Sequence, residues 1–166
     1  NKGLVISPET EPLIPEEEIL QFLKKRQSIL SGVCITGGEP TLNPDLKDFI
    51  LKVKELGYSV KLDTNGYNPD TMIALIENKL IDYVAMDIKN SPETYAFTAG
   101  TETLDIVSVQ KSVSYLMEGH VPYEFRTTVI KHYHSKDSFE QIGKWLAGTE
   151  KYFLQNFVDS GDLIGK

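Results

Sequence analysis

The sequence predicts an α/β fold in which a parallel sheet is wrapped by helices and closed only in part. Three observations carry that prediction. Helical and strand-like periodicities alternate five times along the chain, the pattern of parallel strands joined by right-handed crossovers. The strand-like runs are short, rich in branched residues, and bounded by Gly, Pro, Asn or Asp. Five strands are too few for a complete eight-stranded barrel, so an open or partial barrel is expected.

The elements follow in order. Asn1 to Leu13 is polar and irregular, with Pro8 and Pro12 interrupting any period, and does not read as the natural start of a domain. Ile14-Pro15-Glu16-Glu17-Glu18 opens a helix, because proline suits the first turn and acids suit the positive end of the helix dipole. Ile19, Phe22, Leu23 and Leu30 give it an apolar stripe, and Lys24-Lys25-Arg26 marks its solvated C-terminal end. A strand runs through Cys34. Asn43-Pro44-Asp45 starts a second helix with Leu46, Phe49, Ile50 and Val53 inward and Gly57 as its stop. Tyr58 to Asp63 is a strand. Asn68-Pro69-Asp70 starts a helix through Ile73, Leu75 and Ile76. Ile81 to Ile88 is a strand, and Asn90 to Thr103 a loop with a helical turn. Leu104 to Glu118 is a helix stopped by Gly119, and Val121 to Ile130 a strand. Ser135 caps a helix to Ala147, and Tyr152 to Phe157 is the last strand.

Composition bounds the function. A chain of 166 residues is one domain with room for a real core. No run approaches the roughly 20 apolar residues of a membrane span, and no signal-peptide pattern opens the chain, so a cytoplasmic location is expected. One cysteine, Cys34, excludes an internal disulfide and a cysteine-ligated cluster made by this chain alone. Mid-strand, Cys34 reads as a small buried hydrophobe. A net charge of −7 disfavours nucleic acid and anionic membranes as partners.

The stretch Gly32-Val33-Cys34-Ile35-Thr36-Gly37-Gly38-Glu39-Pro40-Thr41 organises the rest. It reads as a buried apolar strand entering a glycine turn, then a carboxylate just past the strand end, where parallel sheets hold ligands. Asp63 follows Glu39 by 24 residues, and Asp87 follows Asp63 by 24. That interval is one strand, one helix and two loops, so all three acids are expected on one rim. Lys89 shares a face with Asp87 in extended chain, and Arg126 rides on the next strand with Glu124 and Thr128 two residues to either side. Carboxylates, cations and glycine amides together suit a zwitterionic, hydroxyl-rich ligand.

Thr36-Gly37-Gly38-Glu39-Pro40-Thr41 resembles the glycine-rich motif of radical S-adenosylmethionine enzymes. Leu62-Asp63-Thr64-Asn65-Gly66 and Met86-Asp87-Ile88-Lys89 resemble matching segments of activating enzymes for glycyl-radical proteins, nearest to the anaerobic ribonucleotide reductase activators and then the pyruvate formate-lyase activators. The resemblance runs in order through nearly the whole chain. It implies a partial (β/α)6 TIM-like barrel, a 4Fe–4S cluster on three cysteines, and reductive cleavage of S-adenosylmethionine to a 5′-deoxyadenosyl radical that abstracts a glycine hydrogen from a partner. It implies reduced flavodoxin or ferredoxin as electron donor, and anaerobic metabolism. By the same likeness Gly37, Gly38 and Glu39 would meet the methionine amino end. Asp63 would face the substrate side of the site, and Asp87 and Lys89 the ribose and nearby polar groups; Thr64, Asn65 and Arg126 are carried over as cofactor-binding residues.

The family's Cys-x3-Cys-x2-Cys motif is absent from this sequence. The expectation is therefore a single truncated core domain over residues 1–166, without the first strand or cluster loop and inactive by itself. Its exposed edge predicts a dimer or a rearranged N-terminal segment, and weak S-adenosylmethionine binding. Two rivals use the same residues: an enzyme holding Mg2+ or Mn2+ on Glu39, Asp63 and Asp87, and a non-catalytic barrel that binds protein at its rim. His132 and His134 share a face at metal-ligand spacing, with no third ligand nearby, and His134 is a candidate for the mouth of the site. Tyr95, Phe97, Tyr133 and Trp145 read as core or rim packing.

Overall fold

A computed structural model describes residues 13–101 and 104–158; the expectations for residues 1–12 fall outside it. Helix α1 (Glu16–Lys24) leads to strand β1 (Gly32–Ile35), a 3-10 turn (Pro40–Leu42) and α2 (Leu46–Glu55). Then follow β2 (Ser59–Thr64), α3 (Pro69–Glu77), β3 (Tyr83–Asp87), the short α4 (Tyr95–Ala99), α5 (Ile106–Met117), β4 (Tyr123–Val129), α6 (Lys136–Trp145) and β5 (Tyr152–Asn156). The strands form one sheet in the order β1-β2-β3-β4-β5, every pair parallel. This is the expected α/β architecture.

Strand alternation divides the sheet into two unlike faces. Val60, Leu62, Val84, Met86 and Phe125 point to the helices and are fully buried. They pack with Ile50 and Val53 of α2, Met72 of α3, Leu116 of α5 and Ile142 of α6, all inaccessible to solvent. The other face is polar and open. In register across it stand Cys34, Lys61 and Tyr83; then Asp63, Ala85 and Glu124; then Asp87, Arg126 and Phe153. Sheets buried on both sides read as continuous apolar runs; Lys61-Leu62-Asp63 alternates because only one side here is core.

Local chemistry sets the element ends largely as expected. Ser135 caps α6 by accepting from Ser138 N while Ser138 Oγ accepts from Ser135 N, a reciprocal capping box. The Asn43 side chain accepts from Asp45 N ahead of α2. Gly57 after α2 and Gly119 after α5 take left-handed φ values of 84° and 81°.

Three expectations are corrected. Phe22 is 49% exposed rather than part of the α1 stripe, and Leu30 lies beyond the helix at 37%. The helix ends at Lys24, so its buried side is Leu23 backed by Ile19 and Leu20, while Phe22 lies under the Arg26 guanidinium, 4.8 Å from the ring centre. Strand β1 is not a buried run: Val33 and Ile35 are half-buried and Gly32 and Cys34 exposed, because β1 pairs only with β2 among the described residues. Cys34 is accordingly not a core residue, since its side chain lies on the open polar face. No described helix is long and apolar enough to cross a membrane.

Candidate functional site

A cavity of about 270 Å³ opens at the carboxyl ends of β1 to β4. It is lined by Thr36, Gly37, Gly38, Glu39, Asp63, Thr64, Asn65, Asp87, Lys89 and Arg126. All nine residues singled out from the sequence thus come together, with Thr36 in addition. The reason is topological: parallel strands end on one rim, so equivalent positions in successive units converge.

Arg126 is the centre of the cavity's charge. Its Nη1 donates to Asp63 Oδ2 at 2.9 Å, and its Nη2 and Nε donate to Asp87 Oδ1 at 3.0 and 3.2 Å. The register pairs Asp87 directly with Arg126, which places the guanidinium fork between two strand-end acids. Burial would lower the Arg126 pKa, but the hydrogen bond to Asp63 and the two carboxylate charges raise it. Asp63 also receives Lys61, a residue that sequence reasoning missed although it precedes Asp63 by two on one face. Burial alone would push the Asp63 carboxyl up; the hydrogen bonds and charges of Lys61 and Arg126 prevail and hold it below its ordinary value. Lys89 donates to Asp87 Oδ2 at 3.2 Å, as their shared face predicts.

Glu39 has a different environment. Its Oε1 accepts from Thr41 N at 3.1 Å, Thr41 Oγ1 at 2.6 Å and Thr64 Oγ1 at 2.7 Å, and its Oε2 accepts from Asn65 N at 2.7 Å. The carboxylate therefore ties the glycine turn to the β2–α3 loop. Most of its acceptor capacity is used within the chain, leaving Oε2 free to take one more donor. Gly37, with φ of 151°, gives the turn beside the cavity a backbone conformation that L side chains rarely adopt. Gly66 fixes the next loop: its φ is 73°, and an added Cβ would stand 2.0 Å from Met86 Cε.

Cys34 borders the site. Its Sγ lies 3.4 Å from Asp63 Oδ1 and 4.0 Å from Lys61 Nζ. Burial, then the Asp63 charge, push the thiol pKa up, against partial relief from Lys61 and Arg126. A thiol pushed in that direction gives up its proton less readily than an ordinary cysteine. No group of three or more His, Cys, Asp or Glu among the described residues is arranged to hold a metal. His134 does not line the cavity; its ring nitrogens face the backbone of Ile130 and Lys89. Tyr95 and Trp145 pack edge to face, as do the more exposed Phe97 and Tyr133.

Residues 6–146 match the Radical SAM superfamily. The chain belongs to that superfamily. A Methanocaldococcus jannaschii protein provisionally named a glycyl-radical enzyme activating enzyme, MJ1227, is 35% identical over 133 residues, covering 76% of this chain and 54% of that protein. A 7-carboxy-7-deazaguanine synthase of Methanopyrus kandleri is 37% identical over 82 residues, 47% of this chain and 32% of that protein. Among solved structures, Streptococcus suis SuiB bound to S-adenosylmethionine superposes with a TM-score of 0.68 at 16% identity, over 89% of this chain and 35% of SuiB. That likeness shows the fold, a radical SAM TIM-like barrel architecture. The chain spans about half the length of MJ1227.

Proposed function

We propose that this radical SAM chain belongs to a glycyl-radical enzyme activating enzyme, and that its cavity binds S-adenosylmethionine. The observation that carries the proposal is the lining of the cavity: glycine backbone, two acids braced by Arg126, and Lys89, gathered at one rim. These groups fit the ligand chemically. A carboxylate and a backbone turn suit an ammonium, acids and Lys89 suit ribose hydroxyls, and cations suit a carboxylate. Gly37, Gly38 and Glu39 would hold the methionine end. Asp63, Thr64 and Asn65 would face the substrate side, with Asp87, Lys89 and Arg126 around the ribose.

The residues of this chain do not fit a 4Fe–4S cluster. A cluster needs several thiolates, and Cys34 is the single cysteine, with a raised pKa. What the chain's own residues do is therefore to bind and orient S-adenosylmethionine. Its radical cleavage, and hydrogen abstraction from a partner's glycine, belong in this proposal to a longer polypeptide. The relative MJ1227 supports the activating subtype. A cytoplasmic glycyl-radical enzyme of the anaerobic ribonucleotide reductase or pyruvate formate-lyase type would be the partner, with reduced flavodoxin or ferredoxin as donor. The divalent-metal reading gains nothing from the geometry, because Asp63 and Asp87 already face cations.

The test extends the polypeptide upstream, reconstitutes it with iron and sulfide without oxygen, and adds dithionite and S-adenosylmethionine. Iron-dependent 5′-deoxyadenosine that falls in Glu39→Ala and Asp87→Ala is the expected result. Absence of cleavage, or stimulation by Mg2+ without iron, overturns the proposal.

A further inference from the structure

Lys89 stands between two cavities. It lines the polar one already described and also a second, of about 230 Å³, bounded by Asn65, Tyr67, Tyr95, Leu104 and Val109. A lysine side chain has four rotatable bonds, so the reach of its ammonium is set by where its backbone is placed and by what holds its head, here Asp87 Oδ2 at 3.2 Å. Which cavity its ammonium serves therefore depends on what fixes the start of the β3–α4 loop.

That loop is stitched to the β4–α6 loop by two side chains. His134 Nε2 lies 2.8 Å from Lys89 O, and its Nδ1 lies 3.1 Å from Ile130 N. The Lys89 carbonyl only accepts, and the Ile130 amide only donates. Hydrogen-bond chemistry therefore assigns the neutral tautomer with the proton on Nε2. The Ile130 carbonyl, 3.2 Å from Nδ1, receives no proton in that tautomer. The ring also stacks on Phe139, centroids 5.5 Å apart, which fixes its plane. One residue on, the fully buried Asn90 donates to Tyr133 O at 2.8 Å and Thr98 Oγ1 at 2.9 Å.

We propose that His134 is a positioning residue for Lys89: by holding the Lys89 carbonyl it keeps the ammonium on Asp87, in the polar cavity, and out of the second. The proposal rests on the S-adenosylmethionine reading only for its ligand, since the clamp is a property of the chain itself. Two measurements separate the two claims.

The first needs no ligand. In the full chain, the Lys89 ammonium is followed by nitrogen-15 side-chain NMR, and the His134 tautomer by long-range imidazole correlations. His134→Phe, which keeps the stack on Phe139 and loses both hydrogen bonds, should make the Lys89 ammonium more mobile. His134→Gln, whose amide can still donate to Lys89 O, should leave it ordered. The second is calorimetric binding with S-adenosylmethionine as the probe, in a cycle of wild type, His134→Phe, Lys89→Ala and the double variant. Loss of a hydrogen bond of ordinary strength predicts about fivefold weaker binding in His134→Phe. His134→Gln should recover to within about twofold of wild type, and the Phe effect should vanish in the Lys89→Ala background.

Equal losses with and without Lys89, a Gln variant no better than Phe, or an unchanged Lys89 ammonium in His134→Phe would each overturn the role of His134. A wild-type chain that does not bind S-adenosylmethionine overturns the ligand reading instead, and the NMR result then decides the clamp alone.

Discussion

Arg126→Met removes a cation shared by Asp63 and Asp87 while keeping much of the side-chain volume. The magnitude follows from the two arms. On the Asp63 arm both side chains are 16% exposed, and a charge-assisted hydrogen bond there contributes about 1.5–3 kcal/mol. On the other arm Asp87 is 35% exposed, so solvent screening limits its share to about 1 kcal/mol. Against these stand relief of Arg126's own desolvation and the Lys61 partner that Asp63 retains. A net loss of about 2 kcal/mol near neutral pH is expected.

The loss must depend on pH in a definite direction. Asp63 is held below its ordinary value, so its contribution is complete above the unfolded carboxyl pKa, about 3.9. It disappears as pH falls through the lower folded value. Without Arg126 much of that depression goes, and the gap between wild type and variant should narrow below about pH 4. Urea unfolding at neutral and acidic pH measures both quantities. Arg126→Lys, which keeps the charge but not the fork, should fall between the two. A gap below about 0.5 kcal/mol, or one that persists unchanged in acid, would refute the argument.

Glu39→Gln places an amide NH2 group either against the Thr41 and Thr64 donors at Oε1 or against the Asn65 amide at Oε2; about 1–3 kcal/mol of destabilisation and weaker S-adenosylmethionine binding are expected by urea unfolding and calorimetry. Gly66→Ala combines a strained φ of 73° with a clash on Met86 and should lower thermal stability by about 2 kcal/mol or more, whereas Gly143→Ala, with open space around its Cβ and a helical backbone, should be neutral or slightly stabilising. Cys34 is exposed yet its thiol pKa is raised; alkylation near neutral pH should be slower than for an unperturbed thiol, and Asp63→Asn should speed it by removing a charge that raises that pKa.

The fold and the rim were legible for the same reason. A repeat of strand, helix and loops returns the chain to one edge of a parallel sheet at a nearly constant interval, so Glu39, Asp63 and Asp87 could be grouped by spacing alone. Arg126 could be placed on β4, but its position opposite Asp87 depends on strand register, which no local pattern in the sequence encodes. Cys34 was misplaced on the same account. Its neighbours in sequence are apolar, while those that matter, Lys61 in register and Asp63 diagonally across, lie more than 25 residues away. Lys61 was readable in principle, since it shares a face with Asp63, but a strand lysine reads as solvated until the opposing acid is known. The internal role of Glu39 was hidden too, because its partners Thr64 and Asn65 come from another unit.

The charge arrangement of the open face limits what the cavity can accept. Three acids and three cations meet there: Glu39, Asp63 and Asp87 against Lys61, Lys89 and Arg126. The Glu39 charge is met by hydroxyls and amides of the chain, and the Asp63 and Asp87 charges by ion pairs. A divalent cation would have to displace Arg126 or a lysine to reach both aspartates, at the cost of a cation left without its carboxylate. A polyanion would meet the acids before the cations they neutralise. A guest carrying both signs and several hydroxyls can exchange partners one for one, offering an ammonium to a carboxylate and a carboxylate to a cation, without leaving either sign unpaired. S-adenosylmethionine, the ligand proposed for this cavity, offers an ammonium, a carboxylate and ribose hydroxyls with one further cationic centre in its sulfonium, so on that proposal the pairing in the free chain suits it better than the metal ion that the same three acids would otherwise suggest.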